Sequence, residues 1–269
     1  MRTIRLLLVY DGTDYHGWQR QPGRRTVQGM LEAALEKVTG APHRIVGSSR
    51  TDAGVHALGQ VAAFRTASRL PADTLRRALN ANLPHDVVAV EAAEAAPSFH
   101  PLADAAAKRY RYLLGDGPFP DVFRRRYIWQ RWRDLDAEAM HRAGQALVGR
   151  HDFASFQSAG SPRKDTVRTL FDVAVTRGFQ NEAHLLAVEV EGDGFLYNMV
   201  RTIVGTLVEV GRGARGAPWV ADVLAARDRG RAGPTAPPEG LYLLWVRFAG
   251  GAAQGTWPSQ GLFLSRPKR

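Results

Sequence analysis

The sequence contains no cysteine among its 269 residues. This absence excludes disulfide bonds, thiolate nucleophiles and every zinc or iron–sulfur site that depends on cysteine ligands. It also gives weak support for a reducing compartment. A chain of this length can bury about 75% of its unfolded surface, so its core needs no covalent or metal cross-link. The length allows one large domain or two medium ones.

Long apolar runs are also missing. The N-terminal apolar run ends at Asp11, is followed by no small-residue cleavage site and is too short for a signal peptide. No other run approaches the roughly 18 residues that indicate a membrane-spanning helix. We therefore expect a soluble cytoplasmic protein with no membrane partner.

Lysine is scarce, although the chain is strongly basic. The 36 basic and 26 acidic residues give a net charge of +10, and all but four of the basic residues are arginines. Arginine binds phosphate bidentately and stacks on bases, so nucleic acid is a natural partner. An arginine-rich, solvated surface explains the charge equally well, and the net charge does not separate the two explanations.

Several common catalytic motifs are absent. The eight histidines are scattered along the chain, so we expect no metal site. There is no Gly-x-x-x-x-Gly-Lys-Ser/Thr phosphate loop, no Gly-x-Gly-x-x-Gly after a predicted strand and no Gly-x-Ser-x-Gly elbow. The remaining candidates for chemistry are a carboxylate in a turn, a tyrosine on a strand and an arginine on the flank of an apolar helix.

Hydrophobic periodicity predicts a repeated order of elements. In the first half it predicts strand 3–9, helix 27–38, strand 44–46, strand 55–64, helix 71–80 and strand 86–92. In the second half it predicts strand 108–114, helix 136–148, strands 167–176 and 185–191, helices 195–210 and 219–227, and strand 241–248. Each half has the order βαββαβ, with one extra helix in the second, which predicts an α+β fold of two ferredoxin-like (RRM-like) halves. We place these halves at 1–104 and 105–248, followed by a surface tail at 249–269.

A long predicted loop at residues 10–25 is a candidate RNA contact. It interleaves aromatic and amide side chains with Arg20, Arg24 and Arg25. Such a loop suits unpaired nucleotides, because rings stack on bases while arginines bind phosphates. Trp18 in this loop fits a stacking role and a position in the core equally well.

Two further segments are candidate RNA surfaces. Residues 119–132 are basic and aromatic, a pattern that fits an RNA surface or simply a solvated charged face. Residues 158–164 form a predicted flexible loop that carries Arg163 and Lys164.

Tyrosine and arginine alternate in the predicted strand at 108–114. The period of two places Tyr110 and Tyr112 on one face of the sheet and Arg109 and Arg111 on the other. Tyrosines on a sheet face can stack on bases or pack in a core. For Tyr112 the core interpretation is favoured.

A polar turn between two predicted strands carries Arg50 and Asp52. Its Thr-Asp-Ala-Gly sequence is sufficient to form a turn without any function, although rigid strands around it also suit a functional carboxylate. Arg201 lies on the flank of an apolar helix, so it needs a carboxylate partner if it is buried. Asp52 is a candidate partner, and a neighbouring arginine is expected to lower the pKa of Asp52 and keep it ionised, as a nucleophile must be.

Motifs along residues 3–248 occur in one recognisable order. They are Tyr10-Asp11-Gly12 with Gly17-Trp18-Gln19-Arg20-Gln21, Arg50-Thr51-Asp52-Ala53-Gly54-Val55-His56-Ala57, Arg109-Tyr110-Arg111-Tyr112, Met199-Val200-Arg201 and Glu239-Gly240-Leu241. Together they resemble the tRNA pseudouridine synthase A family. The block that begins at Arg50 is the most specific, and the resemblance favours a functional Asp52 over a simple turn residue.

The resemblance implies the pseudouridine synthase fold, with a largely antiparallel central sheet. It implies a cofactor-free enzyme that isomerises uridine to pseudouridine at positions 38, 39 and 40 of the tRNA anticodon stem-loop. Asp52 would be the nucleophile, attacking either the base or the sugar, and Arg201 would pair with it. Tyr110 would stack on the target base, with a possible part in removing the C5 proton, and Arg50 would hold the flipped nucleotide. The family forms homodimers, with tRNA lying across both subunits.

One segment departs from the family pattern. The family has a Phe-His-Ala-Arg-Phe-like run before the tyrosine strand, whereas this chain has Phe99, His100, Pro101, Leu102 and Ala103. An arginine and an aromatic residue are therefore missing. No RNA contact is assigned to this segment.

Overall fold

A computed structural model describes residues 1–158, 160 and 164–249 of the chain. Ten strands occur in these residues, at Arg2–Tyr10 (β1), Val46–Gly47 (β2), His56–Thr66 (β3), Val87–Ala95 (β4), Ala105–Gly115 (β5), Trp129–Gln130 (β6), Gly149–Asp152 (β7), Val167–Arg177 (β8), Leu185–Gly192 (β9) and Leu241–Phe248 (β10). Five α-helices accompany them, at Val27–Thr39 (α1), Ala72–Asn80 (α2), Ala137–Gly144 (α3), Met199–Gly211 (α4) and Trp219–Ala226 (α5). The predicted α+β class is confirmed. The predictions for Arg163 and for tail residues 250–269 lie outside the described residues.

All ten strands belong to one sheet, whose main path is β4-β1-β3-β10-β5-β9-β8-β7. β2 pairs with β3 and β6 pairs with β5. β10 lies at the junction, parallel to β3 on one side and antiparallel to β5 on the other. The loop before β3 therefore lies where the first half of the chain meets the second.

The helices cover one face of this sheet. α2 packs on α1 and β4, and α3 packs on β8 and α4. A single continuous cluster of buried apolar side chains runs through both halves, from Leu6 and Leu31 to Val188 and Leu207. The two halves consequently share one hydrophobic core, and burial of this apolar surface is the main stabilising contribution to the fold.

The ends of α1 agree with the sequence. The Thr26 hydroxyl accepts a hydrogen bond from the Gly29 amide at 3.3 Å, as expected of an N-cap. Gly40 ends the helix in the left-handed conformation, with φ of 71°. Leu31 and Leu35 face the core.

Two predicted helices differ from the structure. The helix predicted at 195–210 begins at Met199. Asn198 has a φ of 60°, in the left-handed region, and a right-handed helix cannot continue through such a residue. The helix predicted at 136–148 ends at Gly144 and tightens into a 3-10 turn at Gln145–Leu147. The apolar period continues past both boundaries, so periodicity alone could not locate them.

Several strands differ as well. β7 is followed by a 3-10 turn at Ala154–Phe156, and β6 has only two residues. β7 has no alternation of apolar and polar residues, and β6 is too short to show a period, so neither carried a strand signal. β5 begins at Ala105, ahead of the strand predicted at 108–114, and the strand predicted at 44–46 is found at Val46–Gly47.

The predicted alternation along β5 is confirmed. Tyr112 is fully buried in the core, as its core interpretation required, and Tyr110 lies on the same face. On the other face Arg109 forms ion pairs with Glu189 and Glu191, each at 2.9 Å or less. A second apolar cluster covers part of that face, where Tyr127 and Ile128 pack over residues of β3, β5, β9 and β10.

Among the described residues, no helix is long and apolar enough to cross a membrane.

Close packing against α4 generates a stability prediction. A Cβ placed on Gly205 would overlap the carbonyl oxygen of Pro234, which belongs to backbone that cannot move away easily. Gly205→Ala should therefore lower the free energy of unfolding by about 1–3 kcal/mol, even though alanine favours helix by about 1 kcal/mol. Chemical denaturation of the two proteins measures the difference.

Gly216→Ala is the matched control, because its new methyl group would meet nothing closer than Pro218 Cδ at 3.7 Å. Its unfolding free energy should stay near that of the wild type. Equal stability of Gly205→Ala and the wild type would contradict the close approach of the two backbones.

Candidate active site

The turn that carries Asp52 is held by the loop at residues 10–25. The Trp18 amide donates to the Thr51 carbonyl at 3.0 Å, and the Gly54 amide donates to the Tyr15 carbonyl at 3.2 Å. Gly17 has φ of 83°, and a Cβ there would lie 2.6 Å from the Thr51 oxygen, so only glycine allows this approach. The loop therefore fixes the position of the turn.

Trp18 is part of this support rather than an exposed stacking ring. It is 3% exposed and packs against Gly47, where a Cβ would lie 2.5 Å from the indole ring. Of the two interpretations offered for Trp18, the core position is confirmed.

The backbone of Asp52 closes the turn, since its carbonyl accepts from the Val55 amide at 3.1 Å. Its side chain lies elsewhere. Asp52 Oδ2 is 3.7 Å from Arg201 Nη1, and the two side chains are 20% and 15% exposed. The expected pairing of Arg201 with Asp52 is thus confirmed, as an ion pair that links the first half of the chain to α4.

Two further contacts hold the Arg201 guanidinium. Its Nε donates to the Ala236 carbonyl at 2.7 Å, and its Nη1 donates to Asn198 Oδ1 at 2.8 Å. The Ala236 amide in turn donates to the Arg201 carbonyl at 3.1 Å. The guanidinium is therefore fixed from two sides before it reaches Asp52.

Burial and the ion pair act on Asp52 in opposite directions. Burial disfavours the carboxylate and raises the pKa of Asp52, while the nearby positive charge of Arg201 lowers it. The net pKa lies above the ordinary value. Arg201 lowers the pKa of Asp52, as expected of an arginine neighbour, but the net shift is upward, because burial removes more hydration from the carboxylate than Arg201 at 3.7 Å offsets.

Tyr110 lies on β5 in the wall of the same site. It is 6% exposed, its hydroxyl is 2.5 Å from Ser49 Oγ, and its ring meets the edge of Phe195 at 5.1 Å. Burial raises the pKa of Tyr110 to about 12, the hydrogen bond from Ser49 opposes this, and the charge of Asp52 adds to it. The phenol is therefore neutral at pH 7.

A buried polar network supports this wall, and sequence reasoning missed it. Gln60 Nε2 donates to the Ser49 carbonyl at 2.7 Å, and Gln60 Oε1 accepts from Ser48 Oγ at 2.8 Å. The Tyr10 hydroxyl lies 2.8 Å from Thr51 Oγ1. A glutamine inside an otherwise apolar strand was the available signal, since such a side chain needs internal partners.

The residues predicted to contact nucleic acid differ in their exposure and in the partners that their side chains already have. Arg50 is exposed beside the site, and no side-chain partner occurs for it among the described residues. Arg20 is 72% exposed and 3.2 Å from Glu32. Arg24 is exposed, and its guanidinium lies 3.5 Å from His16 Nε2. Lys164 is exposed.

Arg25 is instead committed within the fold. Its guanidinium lies 4.3 Å from the centre of the Tyr15 ring and donates to Asp86 at 2.8 Å. The Tyr15 hydroxyl also donates to Asp86. Arg25 therefore fastens the loop at residues 10–25 to the segment before β4.

Residues 119–132 present large apolar side chains beside their arginines. Phe119 is 81% exposed, Phe123 is 89% exposed and Trp132 is 67% exposed.

Of the described residues, one group has the spacing of metal ligands, formed by Asp116, Asp134 and His184. Arg177 donates to both oxygens of Asp116, so this carboxylate already has a cation.

The fold and the site are those of an enzyme, in which a carboxylate on a turn is paired with arginine. A neutral tyrosine and exposed arginines lie beside this pair. Comparison with known families identifies it further. Residues 8–101 and 143–249 match the family model described as tRNA pseudouridine synthase. The chain belongs to this family, whose members convert uridine to pseudouridine in tRNA.

Relatives named tRNA pseudouridine synthase A extend the match over most of the chain. The protein of Acetivibrio thermocellus is 47% identical over 248 residues, which cover 92% of this chain and all of the relative. That of Brevibacillus brevis is 48% identical over the same shares, and that of Myxococcus xanthus is 45% identical over 93% of this chain and 94% of its own. The chain is accordingly a tRNA-modifying isomerase.

The raised pKa of Asp52 predicts that its charge destabilises the fold. A group whose pKa is higher in the folded state stabilises that state at low pH and loses this contribution as pH rises through the folded pKa. Asp52→Asn should therefore have a higher thermal midpoint than the wild type at pH 7. The difference should close as pH falls and Asp52 becomes protonated.

Glu182→Gln removes an exposed carboxylate and is the control, with no expected change in midpoint at either pH. Arg201 keeps its hydrogen bonds to Asn198 and Ala236 in the Asp52 variant. A lower midpoint for Asp52→Asn at pH 7 would mean that the ion pair outweighs burial.

Proposed function

We propose that this enzyme isomerises uridine at positions 38, 39 and 40 of the tRNA anticodon stem-loop, without a cofactor and with Asp52 as nucleophile. The observation that carries the proposal is the Asp52–Arg201 ion pair, in which a fixed cation faces a carboxylate held on a rigid turn. The target region rests on the resemblance to the synthase A family, whose name the relatives above share.

The reaction breaks the bond from C1′ to N1 of uracil and forms a bond from C1′ to C5. The C5 proton leaves, and N1 gains a proton, so no redox partner or second substrate is needed. An ionised carboxylate can assist by adding to the base or to the sugar carbon, which holds the two fragments together while the base turns. Arg201 supports the charged form of Asp52 that either route requires.

Tyr110 would line the pocket for the base. Its neutral phenol is a poor proton acceptor at pH 7, because its pKa is raised to about 12. Its hydroxyl also shares a hydrogen bond with Ser49 Oγ, 2.5 Å away, and a neutral serine hydroxyl is too weak a base to accept the phenol proton. We therefore propose that the main role of Tyr110 is to support the base by ring contact.

The target base must leave its stack before Asp52 can reach it. Arg50, exposed two residues from Asp52, is proposed to bind the flipped nucleotide. Arg20, Arg24, Arg163 and Lys164 are proposed to contact the tRNA backbone. Arg25 is proposed to contribute as well, chiefly by holding its loop in place.

The architecture carries further proposals. We propose that residues 1–104 and 105–248 are two ferredoxin-like halves and that the chain continues in a surface tail. The strand order supports this. The first half runs β4-β1-β3-β2, and the longer strands of the second half run β10-β5-β9-β8 in the corresponding order, with the short strands β6 and β7 outside this pattern. A homodimer that binds tRNA across both subunits, located in the cytoplasm, is proposed from the family resemblance.

The nucleophile is tested by Asp52→Asn. Tritium release from tRNA labelled at uridine C5 should fall at least about a thousandfold, because the variant has no carboxylate to form the intermediate. tRNA affinity should persist. Sequencing of pseudouridine in the product should place it at positions 38–40, and unchanged tritium release by the variant would exclude Asp52 as nucleophile.

Salt dependence tests the predicted phosphate contacts. The logarithm of tRNA affinity should fall linearly with the logarithm of salt concentration, and Arg24→Ala should reduce that slope by about 0.7–0.9. Arg142→Ala is the control, because this arginine is already paired with Glu138 on α3. Unchanged slope for Arg24→Ala would remove Arg24 from the contacts, and a flat wild-type profile would contradict an RNA substrate.

A further inference from the structure

Asn198 has an unusual backbone conformation directly before α4. Its φ is 60°, one of four positive values among non-glycine residues in the described part of the chain. Left-handed backbone costs roughly 1–2 kcal/mol per residue for L-amino acids, with asparagine among the more tolerant. The side chain forms no hydrogen bond that caps the helix. Capping therefore does not explain why asparagine stands here.

The Asn198 amide bridges two other residues instead. Its Oδ1 accepts from Arg201 Nη1 at 2.8 Å, and its Nδ2 donates to Ser158 Oγ at 2.7 Å. Arginine has only donors, so the amide oxygen must face Arg201 and the amide nitrogen must face Ser158. Both ends of the side chain are thus fixed by partners of opposite kind.

This bridge sets the direction of the guanidinium. Arg201 reaches Asp52 at 3.7 Å, beyond hydrogen-bond range, so their attraction alone does not fix the geometry. Without Asn198, the hydrogen bond from Nε to Ala236 is the remaining directional contact of that side chain in the described structure. The guanidinium could then rotate about it and move its charge away from the carboxylate.

We infer that Asn198 is a positioning residue, which aims Arg201 at Asp52 and adopts its left-handed backbone for that purpose. The inference rests on the proposed roles of Asp52 and Arg201. It adds a residue to those that support the reaction, although Asn198 itself does not touch the reacting atoms.

If Asn198 positions Arg201, the pH dependence of activity should change when Asn198 is replaced. Asp52 faces Arg201 from α4 and Tyr110 from β5, with Arg50 on its own turn. Tyr110 is neutral across the working range, so Arg201 is the group that opposes the effect of burial on the pKa of Asp52. If Arg201 turns away, that pKa rises further, and activity is lost at a higher pH as the solution is acidified.

Asn198→Gly tests the role without straining the fold, because glycine adopts a φ of 60° freely. The single-turnover rate should fall by about ten- to a hundredfold, the size usual for residues that orient a functional group. tRNA affinity should stay near wild type, and so should the thermal midpoint at acidic pH, where Asp52 is protonated in both proteins. The acidic limb of the pH–rate profile should move to higher pH.

Asn181→Gly is the matched control. Asn181 also has a left-handed φ, of 65°, but it is exposed in the turn between β8 and β9. Its rate and pH profile should be unchanged. Ser158→Ala is a second variant, which frees the other end of the Asn198 amide and should change the same profile in the same direction, by a smaller amount.

A double variant separates positioning from a general structural role. In the Arg201→Met background, Asn198→Gly should cause no further loss, because there is no guanidinium left to aim. Additive losses, or a wild-type rate and profile for Asn198→Gly, would overturn the inference. If Asn198→Gly behaves as wild type while Asp52→Asn is inactive, the inference about Asn198 is wrong but the proposed function still holds. If Asp52→Asn is active, the proposed function itself is wrong.

Discussion

The contact between Asp52 and Arg201 depends on two parts of the chain that are distant in sequence. The carboxylate belongs to the turn before β3, and the guanidinium belongs to α4, which packs over the second half of the sheet. They meet because β10 lies between β3 and β5 and makes the two halves one sheet. The attraction between them weakens as the charges separate and as water enters between them.

Most of the surrounding structure limits movement of these two groups. The loop at residues 10–25 fixes the Asp52 turn through backbone hydrogen bonds that require glycine at position 17. On the other side, the segment from Gly233 to Ala236 lies against α4 so closely that Gly205 has no room for a side chain. The resulting site is rigid on both sides, yet it keeps a carboxylate in a setting that opposes its charge. Such conflict between stability and activity is common at catalytic sites.

The sequence was sufficient for the order of the longer elements, for the alternation along β5 and for the partnership of Arg201 with Asp52. Each rests on a pattern that physical chemistry constrains locally, such as period two in a strand or the need of a buried cation for an anion. The boundary at Asn198, the network around Gln60 and the direction of the pKa shift of Asp52 did not follow from sequence. They depend on how much water the folded chain excludes and on which residues from distant segments come within hydrogen-bond range, and neither is a local property.

The position of β10 also affects the order in which the parts of the chain can fold during synthesis. It is the last strand in the described chain, but it occupies the middle of the sheet, and no earlier strand joins β3 to β5. During synthesis from the N-terminus, the two halves can therefore become one sheet only after residues 241–248 have left the ribosome. Contacts between segments this far apart are slow to form, because a long loop must close first. A nascent chain thus contains the loop at residues 10–25 long before the sheet that brings Asp52 and Arg201 together.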